Sequence, residues 1–330
     1  MGGFVGHHVL DHLLVNTDWE IIGVDSWIHK GIPERVLHSK HYQLNSHRVR
    51  VVTHDLIAPF SETTKRSIGK IDYIINIASQ SHVDRSIEDP VPFIQNNINL
   101  VLHMLEFARE VKPDLFIQFS TDEVYGPAPD KYLSKEWDSH IPSNPYSGSK
   151  AAQEDIAISY WRTYGIPLII TNTMNCFGER QDPEKFIPRI IKSVLYANEV
   201  TIHGQEGNIS SRFYIHCRNA ADGVLHIINN LPPVKYPDAN KPDRYNIVGE
   251  KELNNLELAQ LVAEITGKPL KYRFVDWHNT RPGHDKRYAL DGKKLRDLGW
   301  EPPIHLERAL RKTIEWGLEN PEWLYGSHIK

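Results

Sequence analysis

Short apolar runs alternate with amphipathic stretches through the first half of the chain. Glu20–Asp25 (EIIGVD), Arg48–Leu56 (RVRVVTHDL), Ile71–Ser79 (IDYIINIAS) and Asp114–Thr121 (DLFIQFST) are rich in isoleucine, valine and phenylalanine and are bounded by polar turns. That pattern predicts strands. Helical patterns lie between them, such as Asn97–Val111, which is closed off by Pro113. Strand–helix–strand alternation predicts a parallel sheet with helices on both faces, and near-continuous apolar strands predict burial on both sides. The second half is less regular. A proline-rich polar segment, Leu231–Pro242, precedes a predicted helix at Asn255–Thr266 and basic, aromatic-bearing stretches.

Composition narrows the class. The 330 residues are 40% hydrophobic and 24% charged, as in an ordinary globular protein. A formal net charge of -4 argues against nucleic acid or an anionic membrane as the main partner. No apolar stretch is long enough to span a bilayer and no signal-peptide pattern is present, so a membrane role is not expected. Only Cys176 and Cys217 occur, too few for a disulfide framework, which favours a reducing, cytoplasmic setting. The 18 histidines are scattered without ligand spacing, so no metal site is expected.

Candidate chemistry begins at the N-terminus. Gly2–Gly6 (GGFVG) leads into a helical pattern, and glycines placed before a helix let the backbone approach a pyrophosphate at the helix's positive end. Alone this is weak, because many tight turns carry glycine pairs. Asp25 ends the next predicted strand, nineteen residues after Gly6, where a carboxylate can accept hydrogen bonds from an adenosine ribose. An acid there suits a free 2′-hydroxyl, so NAD is favoured over NADP; the plainer alternative is a turn residue after a strand.

A second cluster follows the fourth predicted strand. Asp122 and Glu123 stand side by side behind Ser120 and Thr121, although adjacent buried acids repel and are costly to desolvate. Ser143–Gly165 then reads as one helix, with Pro145 in its first turn and Gly165 at its end. Tyr146 and Lys150 are four apart and share a face. A lysine ammonium beside a phenol favours phenolate, which would make Tyr146 a base for an alcohol or sugar hydroxyl. The same spacing also occurs in plain surface pairs.

Together these pieces resemble the extended short-chain dehydrogenase/reductase family, in its nucleotide-sugar branch of NAD-dependent epimerases and dehydratases. The dTDP-glucose 4,6-dehydratases are the most similar. The motifs carrying the resemblance, in the family's order, are SHVDRSI (81–87), STDEVYG (120–126), PYSGSK (145–150), PEKFIP (183–188), YNI (245–247) and RPGHDKRYA (281–289). They cover nearly the whole chain.

The resemblance implies a Rossmann-type doubly wound α/β sheet with a smaller C-terminal α/β substrate-binding domain. It places the NAD-binding domain at 1–172, with a return segment at about 208–248, and the nucleotide-sugar domain at 173–207 and 249–330. NAD would be lined by Gly3, Phe4, Val5, Gly6, Asp25, Asp55, Leu56, Ala78, Tyr146 and Lys150. The nucleotide-sugar would be held by Ser81, His82, Asn175, Glu184, Lys185, Arg212, Asn246, Arg281 and His284. The arginines suit phosphate, onto which a guanidinium forks, although without the motif order they would read as solvated surface. A homodimer paired through helices such as the one bearing Tyr146 is implied as well.

The adjacent acids are then explained as a division of labour in a hydro-lyase. In the family reaction Tyr146 takes the proton of the sugar's 4-hydroxyl as hydride leaves carbon 4 for NAD, with Thr121 bonded to the 4-oxygen. Glu123 removes the carbon-5 proton, Asp122 protonates the departing 6-hydroxyl, and the hydride returns at carbon 6. Epimerases of the family generally lack the two acids, and UDP-xylose-forming decarboxylases carry serine at the position of Asp122, so the dehydratase expectation rests on Asp122.

Three departures bear on the substrate. Gln80 stands where the dTDP-glucose enzymes usually have glutamate, Thr280 where they have aspartate, and Gly204–Arg212 is longer than expected. Uracil in place of thymine, a UDP-sugar 4-epimerase or decarboxylase, and a non-catalytic dinucleotide-binding protein stay open as alternatives. Met1 also falls inside the glycine motif. The first glycine and the preceding central strand are therefore expected to be absent, as in a truncated frame or fragment, with poor folding and weak NAD retention as consequences.

Overall fold

The computed structural model describes residues 1–28, 30–276 and 285–326. The four predicted strands form at β1 (Ile21–Asp25), β2 (Val49–Thr53), β3 (Tyr73–Asn76) and β4 (Leu115–Thr121), followed by β5 (Leu168–Thr173). Later strands are β6 (Asn175–Phe177), β7 (Glu199–Gln205), β8 (Asn208–Ile209), β9 (Ser211–His216), β10 (Asp243–Ile247), β11 (Glu252–Asn254), β12 (Lys271–Val275) and β13 (Arg287–Tyr288). Strands β3, β4, β5 and β10 form one parallel sheet in the order β3-β4-β5-β10. Strands β1 and β2 form a separate parallel pair.

This division changes the expected burial. Every residue of β4 and β5 is buried, as in strands covered on both faces, polar Gln118 and Asn172 included. In β1 and β2 most positions are only half-buried or exposed. Among the described residues β1 pairs with β2 alone and β3 with β4 alone, so a cleft, not a strand, lies along their inner edges.

Helices cover the sheet where the pattern placed them, with boundaries set by caps. The first, Phe4–Asn16, begins inside the glycine motif and packs Val9 and Leu13 against Ala221 and Leu225 of the helix Cys217–Asn230. The helix expected from Asn97 starts earlier, at Pro90, because a proline in a first turn loses no hydrogen bond; it ends at Lys112 in a left-handed conformation just before Pro113. The helix Pro145–Tyr164 has a full capping box between Asn144 and Ser147 and stops at left-handed Gly165. The predicted helix Asn255–Thr266 forms over those residues, capped by Asn254 and Gly267.

The C-terminal part builds a second core. Ile187, Ile190, Ile202, Leu258, Val262 and Leu310 pack together there, between helices and two small sheets. One of these sheets centres on β9, which pairs with β6, β11 and β13, and the other joins β12, β7 and β8. Helix Cys217–Asn230 packs on the first helix and β10 pairs with β5, whereas β8 and β9 lie in the small sheets, with Gln205 and Asn208 paired in a β7–β8 hairpin before β9 begins. No helix among the described residues is long and apolar enough to cross a membrane.

Candidate active site

Strand β4 delivers the acids. Its last residue, Thr121, is followed by a 3₁₀ turn, Asp122–Tyr125, that ends at Gly126. Gly126 has φ 71°, and a β-carbon there would lie 2.1 Å from the carbonyl oxygen of Ile141, so only glycine fits. Thr121 Oγ1 accepts from the Glu123 N–H at 3.4 Å and donates to Asp122 Oδ1 at 2.8 Å.

The helix that follows presents Tyr146 and Lys150 to the same place. Tyr146 is buried edge-on to Phe93, with ring centroids 6.2 Å apart, and lines the same cavity as Thr121. Lys150 Nζ donates to the Phe119 carbonyl at 2.8 Å and to Gln153 Oε1 at 2.6 Å. The expected phenolate is not favoured in this arrangement. Burial, and then the charge of Glu123, push the Tyr146 phenol up, while the Lys150 ammonium is spent on other acceptors. Burial pulls Lys150 down to about 8, against the opposing charge of Glu154.

The two acids sit in different surroundings. Burial, and then repulsion from Glu123, raise Asp122 to about 7; its Oδ2 is buried without a hydrogen-bond partner among the described residues. Burial also raises Glu123, but Arg212 pulls it back, as does Asn144. Glu123 Oε2 accepts from Asn144 Nδ2 and from the Tyr288 hydroxyl, each at 3.4 Å. Burial thus raises both carboxyls; the charge of Glu123 raises Asp122 further, whereas Arg212 and Asn144 oppose the rise at Glu123.

A cavity of about 1450 Å³ joins this cluster to the C-terminal ends of β1, β2 and β3. Every expected NAD residue lines it: Gly3, Phe4, Val5 and Gly6 at the first helix, Asp25 after β1, Asp55 and Leu56 after β2, Ala78 after β3, and Tyr146 with Lys150. The fit to a dinucleotide is physical. Helix Phe4–Asn16 has no side-chain cap and no acid in its first turn, and a β-carbon on Gly3 would meet nothing within 4 Å. Open backbone at a helix N-terminus is a place for a pyrophosphate. Burial opposes ionisation of Asp25, but the Met1 ammonium and the N–H groups of Trp27 and Gly2 outweigh it, so its carboxylate stays charged.

Of the expected substrate residues, Ser81, His82, Asn175, Glu184, Lys185 and Arg212 line the same cavity. Arg212 Nη1 and Asn175 Oδ1 are buried without hydrogen-bond partners among the described residues, which suits a polar, anionic guest. Glu184 gathers Lys30 at 3.2 Å, His82 at 3.5 Å and Arg85 at 3.7 Å. Asn246 is not at the cavity. It is fully buried on β10, where its amide donates to the carbonyls of Ser134 and Asp291, each at 3.1 Å, tying loops to the sheet. Arg281 and His284, like Thr280, lie outside the described residues.

Uncharged residues passed over in the sequence complete the site. Asn97 bonds both backbone groups of Gln80, at 2.8 and 3.0 Å, and donates to Ser149 at 2.8 Å, while its carbonyl accepts from Gln153 at 2.6 Å. It pins the Ala78–His82 loop to the Tyr146 helix. Neither Asn97 nor Asn144 carries a charge or spacing signal, and each is recognisable only by what it touches.

A parallel α/β sheet with an open glycine-led helix, an acid at the end of β1 and a Tyr–Lys helix facing a buried acid pair defines a Rossmann-type protein whose reactive groups gather at its strand ends. The family model described as GDP-mannose 4,6 dehydratase matches residues 1–313, and the chain belongs to that family, within the NAD-dependent epimerase/dehydratase group of extended short-chain dehydrogenases/reductases. A dTDP-glucose 4,6-dehydratase of Salmonella typhimurium is 34% identical over 348 residues, covering 98% of this chain and 92% of the relative. Among solved structures, a double mutant of DesIV, a dTDP-glucose 4,6-dehydratase from Streptomyces venezuelae with NAD bound, is 28% identical. It superimposes with a TM-score of 0.85 over 98% of this chain and 97% of its own. A Thermus thermophilus UDP-glucose 4-epimerase in complex with NAD is 25% identical, with a TM-score of 0.82 over 96% of each chain.

Proposed function

We propose that this chain is an NAD-dependent hydro-lyase that converts dTDP-glucose to the 4-keto-6-deoxy sugar. The observation that carries the reading is the buried Asp122–Glu123 pair, which lines one cavity with Thr121, Tyr146 and Lys150. Near-full-length identity to dTDP-glucose 4,6-dehydratases supports it.

The chemistry NAD supplies when bound is acceptance of the carbon-4 hydride and its return at carbon 6. Gly3, Phe4, Val5, Gly6, Asp25, Asp55, Leu56 and Ala78, which line the cavity, would hold it. Tyr146 must be in its phenolate form to take the proton of the 4-hydroxyl, so burial and the charge of Glu123 work against this step until it is ionised; Thr121 bonds to the same oxygen. The resulting ketone acidifies the carbon-5 hydrogen; Glu123 removes that proton and returns it to carbon 5 when the hydride is delivered at carbon 6. Asp122, protonated below about pH 7, gives its proton to the 6-hydroxyl as it leaves as water. Lys185 and Arg212 hold the diphosphate, and the sugar nucleotide lies against 173–207 and 249–330. The enzyme works in the cytoplasm as a homodimer.

Incubation with dTDP-glucose and, separately, UDP-glucose tests this by mass spectrometry. Loss of one water without added reductant is expected from dTDP-glucose. A product that keeps the substrate's mass and is only inverted at carbon 4 would refute the dehydratase assignment, and turnover of UDP-glucose alone would change the nucleotide.

A further inference from the structure

Asn144 does two jobs with one side chain. As N-cap of the Tyr146 helix, its Oδ1 accepts from the Ser147 N–H at 2.9 Å, while Ser147 Oγ accepts from the Asn144 N–H at 3.2 Å. The cap demands an acceptor, so the oxygen of the amide is committed and its orientation is set. The remaining end, Nδ2, is thereby turned toward Glu123 Oε2, 3.4 Å away. Flipping the amide would lose the cap and place an oxygen against the carboxylate. Serine, aspartate and threonine cap helices as well as asparagine does, but none offers an N–H donor at that reach.

We propose that Asn144 is a positioning residue that couples the two catalytic elements, using its capping amide to aim an N–H at Glu123 and so hold that carboxylate ionised and oriented beside Tyr146. The proposal rests on Glu123 being the carbon-5 base. Other titratable and charged groups face Glu123: Asp122 on its own turn, Arg212 on β9, Tyr288 on β13, and Asp285, Lys185 and Tyr146. Asp122 and Asp285 disfavour its charge, and Arg212 and Lys185 favour it. Asn144 differs from the charged groups among these because it is neutral, and it is buried and fixed at the start of the Tyr146 helix. Any displacement of that helix start would move the donor and the tyrosine together.

The test compares Asn144→Ser and Asn144→Asp with the full-length NAD-loaded protein. Both variants keep a cap, so the melting temperature should stay close to that of the parent. The carboxyl infrared band that disappears in Glu123→Gln reports Glu123 titration without any need for turnover. Loss of a donor to the charged form should move that titration up by about one pH unit in Asn144→Ser. In Asn144→Asp, where a second negative charge is added, it should move further. The acid limb of the water-loss step should shift to higher pH in parallel, with the rate below it reduced about tenfold. An unmoved Glu123 titration in Asn144→Ser overturns the proposal, whatever happens to activity. A moved titration without any 4-keto-6-deoxy product from the parent enzyme upholds the coupling and refutes the assigned reaction instead.

Discussion

Thr121 Oγ1 donates to Asp122 Oδ1 at 2.8 Å, while the other carboxyl oxygen of Asp122 is buried with no hydrogen-bond partner among the described residues. Half-satisfied burial of this kind keeps a proton on the acid up to about pH 7. A general acid works only when protonated, so turnover should fall as pH rises through about 7. A pH–rate profile of dTDP-glucose dehydration checks this; a flat basic side through pH 9 would exclude Asp122 as the proton donor.

The same burial has a stability consequence with a definite sign. The folded-state value lies above the unfolded one, so the protonated native form is favoured at low pH and that advantage is lost as pH rises from roughly 4 to about 7. Asp122→Asn removes the ionisation and keeps the acceptor for Thr121. It should therefore melt at least about 2 °C above the parent at pH 8, with the gap closing near pH 4. Calorimetry at the two pH values measures it, and equal gaps at both would contradict the linkage.

The half-reactions should separate by residue. Asp122→Asn and Glu123→Gln should still reduce bound NAD with substrate but stall at water loss, lowering turnover roughly a hundredfold or more. Tyr146→Phe should impair the reduction itself. Single-turnover absorbance of NADH distinguishes them, and equal loss of NADH formation in all three would mean that the acids do not play separate roles.

Gly126 ends the turn that carries both acids. Gly126→Ala would force a β-carbon onto the Ile141 carbonyl and hold an L-residue at φ 71°. Strain of this sort costs about 1–3 kcal/mol before the clash is counted. Lower melting temperature together with lost turnover is expected, and thermal melts beside initial rates show it. A variant that melts and turns over like the parent would mean the turn is looser than its geometry.

Local pattern determined much of this protein. Strand β4 and the helices Pro145–Tyr164 and Asn255–Thr266 lie where apolar runs, the first-turn Pro145 and the terminal Gly165 put them, because those are short-range energies carried by neighbouring residues. The reach of Tyr146 and Lys150 to one cavity followed from a spacing of four on a helix. Pairing across the chain could not be read that way. Asn246 looked like a ligand and ties loops to β10, whereas Asn144, which the pattern did not single out, caps the Tyr146 helix and touches Glu123. Lys150 turned to Phe119 and Gln153 instead of serving the phenol, and Tyr288 reached Glu123 from a strand 165 residues away. Hydrogen bonds of neutral side chains depend on where distant segments come to rest, and burial decides which acid keeps its proton. Both are properties of the folded packing, so only the tertiary structure could settle them.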